Sequence, residues 1–142
     1  MNNRQLTVLA GNSAPHVGRV FSLLSEAGIN VRAHCLVDNG EINCKLRMIV
    51  SDPEKAAQVL EDHQFTTVFN DVLIVETDDK PGGLSRILKW FDGSNIQITY
   101  TYTAASESPG AAVMVFRFSD NSHAASILEQ NGIKVLKDSG NH

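Results

Sequence analysis

The apolar residues of this chain change spacing several times, and each change predicts an element. Leu6 to Ala10 is a short apolar run of strand length. Val17, Val20, Phe21, Leu24 and Ala27 then follow helical spacing, and Gly28 is a natural C-terminal stop. From Ile29 the period becomes two: Ile29, Val31, Ala33, Cys35 and Val37 alternate with Asn30, Arg32, His34, Leu36 and Asp38. That alternation predicts a strand with one buried face. Asn39-Gly40 predicts a two-residue hairpin turn, with Ile42, Cys44, Leu46, Met48 and Val50 as the apolar face of the returning strand. Asp52-Pro53 opens a helix carrying Ala56, Val59 and Leu60, and Phe65 to Phe69 closes the unit as a strand. The predicted order is βαββαβ.

Shifting the sequence by 67 residues places Leu6 on Leu73, Val8 on Val75, Val17 on Leu84, Arg19 on Arg86, Leu24 on Phe91 and Val31 on Ile98. Past the hairpin the shift becomes 68, pairing Ser51-Asp52 with Ser119-Asp120, Leu60 with Leu128 and Phe65 with Ile133. The chain is therefore one unit written twice. The expected boundaries are residues 1–70 and 71–137, with 138–142 as a C-terminal tail. The expected class is α+β: two ferredoxin-like units, each an antiparallel four-stranded sheet with both helices on one face. About 65 residues is small for independent stability, and little more than Asn70-Asp71 separates the copies. A rigid pair is expected rather than beads on a linker.

Composition narrows the function. Of 142 residues, 42% are hydrophobic and 20% charged, an ordinary globular balance. Apolar runs are far shorter than a membrane span and no leader-like segment opens the sequence, so a cytoplasmic protein without a membrane partner is expected. A net charge of -4 offers no general attraction to nucleic acid. Two cysteines and five scattered histidines lack metal-site spacing, so neither metal nor cofactor is expected. There is no nucleophile elbow, no pair of carboxylates on separate loops and no phosphate-binding fingerprint, so no catalysis is expected.

The candidate chemistry lies where strand turns into helix. DDKPGGLSRIL follows VLIVET in the second copy, and NSAPHVGRVF follows LTVLA in the first. A free amino acid presents a carboxylate and an ammonium group. Backbone N–H groups at a helix start suit the first; Asp, Asn or carbonyl oxygens suit the second. Gly82 and Gly83 open the backbone to a ligand, and Pro81 sets the helix entry while removing only a donor the helix does not use. Asp78, Asp79, Asn12 and Ser13 are the nearby polar partners, with His16 a further one from the first loop. The same residues also make an ordinary turn with a helix cap.

A strand, then Asp79-x-Pro81-Gly82-Gly83-Leu84 opening a helix, then GINV or NIQI opening the second strand, resembles the ACT domain, over about Arg4 to Leu136 and twice. ACT domains are small regulatory modules that commonly bind amino acids where two such units meet. The resemblance implies a non-catalytic regulatory protein with an amino acid or similar metabolite as ligand, a homodimer, and a regulated enzyme as possible partner. A small regulatory subunit with no ligand of its own is the alternative. The ligand set it implies is Asp78, Asp79, Pro81, Gly82, Gly83 and Leu84 in the second loop, and Asn12, Ser13, Ala14, Pro15, His16 and Val17 in the first. Ile29, Asn30 and Ile96 join them at the starts of the second strands. The first loop departs from the motif, with Ala14 in place of Pro, Pro15 at the Gly position and His16 next.

Other constellations read as structural. A two-residue turn at Asn39-Gly40 sets Cys35 opposite Cys44 on the core face, Arg32 opposite Arg47 and His34 opposite Lys45 on the outer face. Buried thiols and a solvated basic face are the expectations. Tyr100, Tyr102, Phe116 and Phe118 bring RNA-recognition strands to mind, but they align with presumed core positions and are expected in the core. Thr99, Thr101, Thr103, Val113 and Val115 form the opposite face, unusually uncharged and so a candidate contact surface.

Overall fold

The structure, a computed structural model, describes residues 3–38, 40 and 42–136. The chain divides after Asn70 into two compact units, residues 4–70 and residues 71–136, and Asn3 groups with the second. The expected tail and Asn39 lie outside the described residues.

The N-terminal unit contains β1 (Asn3–Ala10), α1 (Ala14–Glu26), β2 (Val31–Val37), β3 (Cys44–Val50), α2 (Pro53–Asp62) and the start of β4 (Thr66–Asp78). Its strand order is β2-β3-β1-β4. Leu6, Val8, Leu46 and Met48 line the covered face of the sheet at zero exposure, and Val20, Leu24, Ala56 and Leu60 from the helices close the core above them. Burying each large side chain contributes about 2 kcal/mol, so this small sheet depends on the helix layer. The C-terminal unit repeats the plan with the rest of β4, α3 (Gly83–Lys89), β5 (Ile98–Ala104), β6 (Ala111–Phe118), α4 (Asn121–Gln130) and β7 (Lys134–Leu136), in the order β5-β6-β4-β7. Leu73, Val75, Ile87, Phe116 and Leu128 form its core. The class is α+β, two ferredoxin-like βαββαβ units.

The duplication extends to hydrogen bonds. Asp52 caps α2 by accepting from the Lys55 amide at 3.2 Å, and Asp120 caps α4 by accepting from the His123 amide at 3.0 Å. The Asn30 backbone is bracketed by Ser51, whose hydroxyl accepts from the Asn30 amide at 3.0 Å. Gln97 is held by Ser119 in the same way at 2.9 Å. Local chemistry, not only apolar pattern, was copied.

Three expectations change. First, Asn70-Asp71 does not separate two strands, because β4 runs through it without a break. Both residues are good turn formers, but here Asn70 Oδ1 accepts from the Thr7 hydroxyl at 2.8 Å and the Asp71 carbonyl accepts from Asn121 Nδ2 at 3.0 Å. Satisfied laterally, they stay in the ladder.

Second, the β2–β3 register is not the one a two-residue turn sets. Cys35 pairs with Arg47, Val37 with Lys45 and His34 with Met48, while Cys44 pairs with Ala10 of β1. The cause is a bulge between Val31 and Ala33 and a longer connection, residues 38–43. One extra residue moves every later side chain to the other face. His34 accordingly meets the Phe21 ring of α1, with centroids 5.4 Å apart, and Leu36 joins the core margin. Ile42, expected on the buried face, is 94% exposed. The expected Arg32–Arg47 and His34–Lys45 oppositions do not occur. Cys44 is buried, whereas Cys35 is half-buried on the other side of the sheet, and both are free. In native protein one thiol is expected to react readily and the second only on unfolding, and mass mapping should place the first label on Cys35. Equal labelling of both would contradict this register.

Third, the C-terminal unit carries the same bulge between Ile98 and Tyr100. Tyr100 faces Arg117 and Tyr102 faces Val115, so both tyrosines lie on the helix-free face, stacked at 6.3 Å, instead of in the core. Thr101 and Thr103 take the side shared with Phe116 and Met114. Phe116 and Phe118 are in the core as expected, stacked at 5.0 Å. Val113 and Val115 lie on the helix-free face as expected, and both are buried.

Candidate functional site

The second loop is shaped by two glycines with different duties. Gly82 caps α3 at φ 85, a left-handed conformation that L side chains rarely adopt. Gly83 is buried, and a Cβ there would stand 2.5 Å from the Asp78 carbonyl oxygen. The helix start is thus pressed against the end of β4. The Asp79 amide donates to the Gly110 carbonyl at 2.9 Å, and the Gly83 amide donates to the Lys80 carbonyl at 3.1 Å. Asp78 is paired with Lys80 at 3.5 Å, while the Asp79 carboxylate, Pro81 and Leu84 face solvent. Leu84 is 40% exposed, a large apolar side chain beside a polar loop. The first-turn amides of α3 lack intrahelical acceptors, as at any helix start.

The first loop is built otherwise. Its helix begins at Ala14, which aligns with Pro81, so α1 starts two residues earlier than α3 in the repeat. Ser13 caps it by accepting from the His16 amide at 3.3 Å, and Pro15 occupies the first turn. Asn12 donates to Asp38 Oδ2 at 3.0 Å. The polar side chains that sequence reasoning assigned to a ligand therefore have internal partners here. Val17 packs against the core edge, and Ala14 and Pro15 are exposed.

Within each unit the fold does not bring all the proposed residues together. Ile29 is a core residue at 6% exposure, and the Asn30 backbone is held by Ser51. Both lie beyond the far end of α1, whose 13 residues span about 20 Å from the loop at Asn12 to Val17. Ile96 packs against the second core, likewise past its helix.

His16 points elsewhere. Its ring meets Phe65 with centroids 5.2 Å apart and lines an open cleft of about 480 Å³. That cleft gathers residues from four separate stretches, which is why no local motif announced it. Among the described residues no group of three or more His, Cys, Asp or Glu is placed to hold a metal, and no helix is long and apolar enough to cross a membrane.

Two βαββαβ units, each with a loop from first strand to first helix and one of them glycine-gated, define a tandem module of the ferredoxin-like class. Residues 1–140 match the family described as the ACT domain pair, and the chain belongs to that family. A protein of Bacteroides thetaiotaomicron is similar to it, with 28% identity, a TM-score of 0.89 and coverage of 99% of this chain and 96% of that one. The ligand-free regulatory subunit of aspartate kinase from Thermus thermophilus shares the fold at 15% identity, with a TM-score of 0.65 and 91% of each chain covered. The corresponding subunit from Thermus flavus does so at 15% identity and a TM-score of 0.62, over 91% of this chain and 90% of that one. No curated protein matches the chain in sequence.

Proposed function

We propose that this ACT domain pair is a non-catalytic regulatory protein that binds an amino acid or a similar small metabolite through its strand-to-helix loops and transmits that binding to a partner enzyme, acting as a homodimer. The observation that carries the reading is the Gly82-Gly83 turn. It holds a helix start tight against a strand end and leaves backbone donors next to the exposed Asp79 carboxylate and the Leu84 side chain. A carboxylate and an ammonium group find complementary charge there. The Thermus aspartate kinase subunits are regulatory by name, which agrees with such a role.

The internal commitments of Asn12 and Ser13 favour a second reading for the first loop, that of a structural turn in a protein-interaction subunit. A thermal-shift screen of the full chain against the twenty amino acids separates the two. A selective ligand at a hundred times its dissociation constant stabilises by about 2.7 kcal/mol, a shift of several degrees in Tm. One selective stabiliser is the expected result. No response at millimolar concentration would remove amino-acid sensing and leave the subunit reading.

A further inference from the structure

The cleft beside His16 lies wholly within the N-terminal unit, and its lining has one sign of charge. His16 and Arg19 stand three apart on α1 and so share a helix face. His63 comes from the end of α2, followed by Gln64, Phe65 and Thr66. Leu9 and Asn43 complete the wall, and no acidic residue takes part. Arg19 has no hydrogen bond or ion pair among the described residues, although it is permanently charged. His63 Nδ1 lies 2.9 Å from the Val59 carbonyl. A carbonyl only accepts, so Nδ1 carries the hydrogen and Nε2 is the ring's remaining polar atom. The buried Phe65 ring, at 8% exposure, provides an apolar surface.

The duplicated unit serves as an internal reference. At the matching positions it has Gly83 for His16, Asn131 for His63, Gly132 for Gln64 and Ile133 for Phe65, while Arg86 matches Arg19. Leu9 and Thr66 are matched by Glu76 and Lys134, which face each other across β4 and β7 and form an ion pair at 3.4 Å. The C-terminal unit thus has a carboxylate at this place, and the N-terminal unit has none. Gln64 sharpens the contrast. It sits at φ 69, the left-handed turn that Gly132 occupies at φ 74, so a side chain stands on the cleft rim where the backbone favours glycine.

We propose that the N-terminal unit binds a small organic oxyanion in this cleft. Arg19 holds the carboxylate or phosphate group, His16 and His63 flank it, Gln64 and Thr66 supply hydrogen bonds, and the apolar body of the ligand rests on Phe65. Arg is suited to this task because its planar fork matches the geometry of both oxyanions. The volume is within the range of small-molecule sites. The cleft uses none of the residues from Asp78 to Leu84, so it stands or falls independently of amino-acid binding at that loop.

The test is a titration of the ¹⁵N-labelled full chain, followed by amide shifts, with inorganic phosphate and separately with benzoate at constant ionic strength. Saturable shifts are expected at His16, Arg19, Gln64 and Thr66, with Arg86, Asn131 and Gly132 unmoved. Saturation by phosphate identifies phosphate esters as the source of the anion, and saturation by benzoate identifies apolar carboxylates. Arg19 is exposed, so Arg19→Ala should fold and weaken the apparent affinity about tenfold or more. The double variant His63→Asn/Gln64→Gly, which installs the second unit's own residues, should weaken it without unfolding. Failure of both anions to saturate by about 50 mM, or shifts unchanged in Arg19→Ala, overturns the proposal.

Discussion

Replacing Gly83 with alanine should destabilise the C-terminal unit by about 2 kcal/mol or more, even though alanine is the better helix former by about 1 kcal/mol. The new Cβ would lie 2.5 Å from the Asp78 carbonyl oxygen, a backbone atom that cannot rotate away as a flexible side chain could. Relief requires moving the start of α3 off the end of β4, which loosens the loop that presents Asp79 and Leu84. Gly82→Ala meets nothing within 4 Å and suffers only from its φ of 85, a penalty of about 1–2 kcal/mol. The two adjacent glycines therefore fail for different reasons. Urea unfolding followed by Trp90, the sole tryptophan, reads this directly because Trp90 packs against the second core. A Gly83→Ala protein with wild-type midpoint and slope would show that the close approach does not exist.

The second large effect separates two pairs of aromatic residues that the sequence places in one group. Phe116→Ala should cost about 3–5 kcal/mol, the usual range for removing a buried phenylalanine. Phe116 is 1% exposed and stacks on Phe118, which in turn stacks on Phe91 at 5.1 Å. Tyr102→Ala should cost about 1 kcal/mol, the worth of an aromatic pair at a half-exposed edge. If Tyr102→Ala proved as damaging as Phe116→Ala, the bulge at Ile98–Tyr100 would be misplaced and the tyrosines would belong to the core. The same Trp90 signal serves both variants.

Most of the architecture was legible because helix and strand periods are carried by the apolar residues themselves. Val20, Leu24, Ala56 and Leu60 were found as core by spacing alone, and Asp52-Pro53 announced its own helix. Asn39-Gly40 misled because a strong local turn signal says nothing about the register its strands settle in. The bulges were silent for a similar reason: Val31-Arg32-Ala33 and Ile98-Thr99-Tyr100 contain no glycine or proline to mark an extra residue, and only pairing with β3 and β6 exposes it. β4 was split at Asn70-Asp71 because the side chains that satisfy that pair, Thr7 and Asn121, are distant in sequence.

The glycine loop was visible as a motif, since its demands are made by successive residues. The cleft was not, since it needs β1, α1, the residues before β3 and the end of α2 to converge. One signal was available in the repeat. His63-Gln64 aligns with Asn131-Gly132, and a helix exit that has glycine in one copy and not in the other marks a place where the copies differ.

The paired bulges also belong to the repeat. An irregularity found at the same place in both halves, 67 residues apart, is part of the repeated unit itself, on the same footing as its strands and helices. The two copies differ in what they display on that shared kink, Ala33 and Cys35 in one and Tyr100 and Tyr102 in the other. Deleting Arg32 or Thr99 would undo that frame and turn the outward face of an edge strand inward. Exchanging the displayed residues alters only what each copy presents and leaves the shared frame in place.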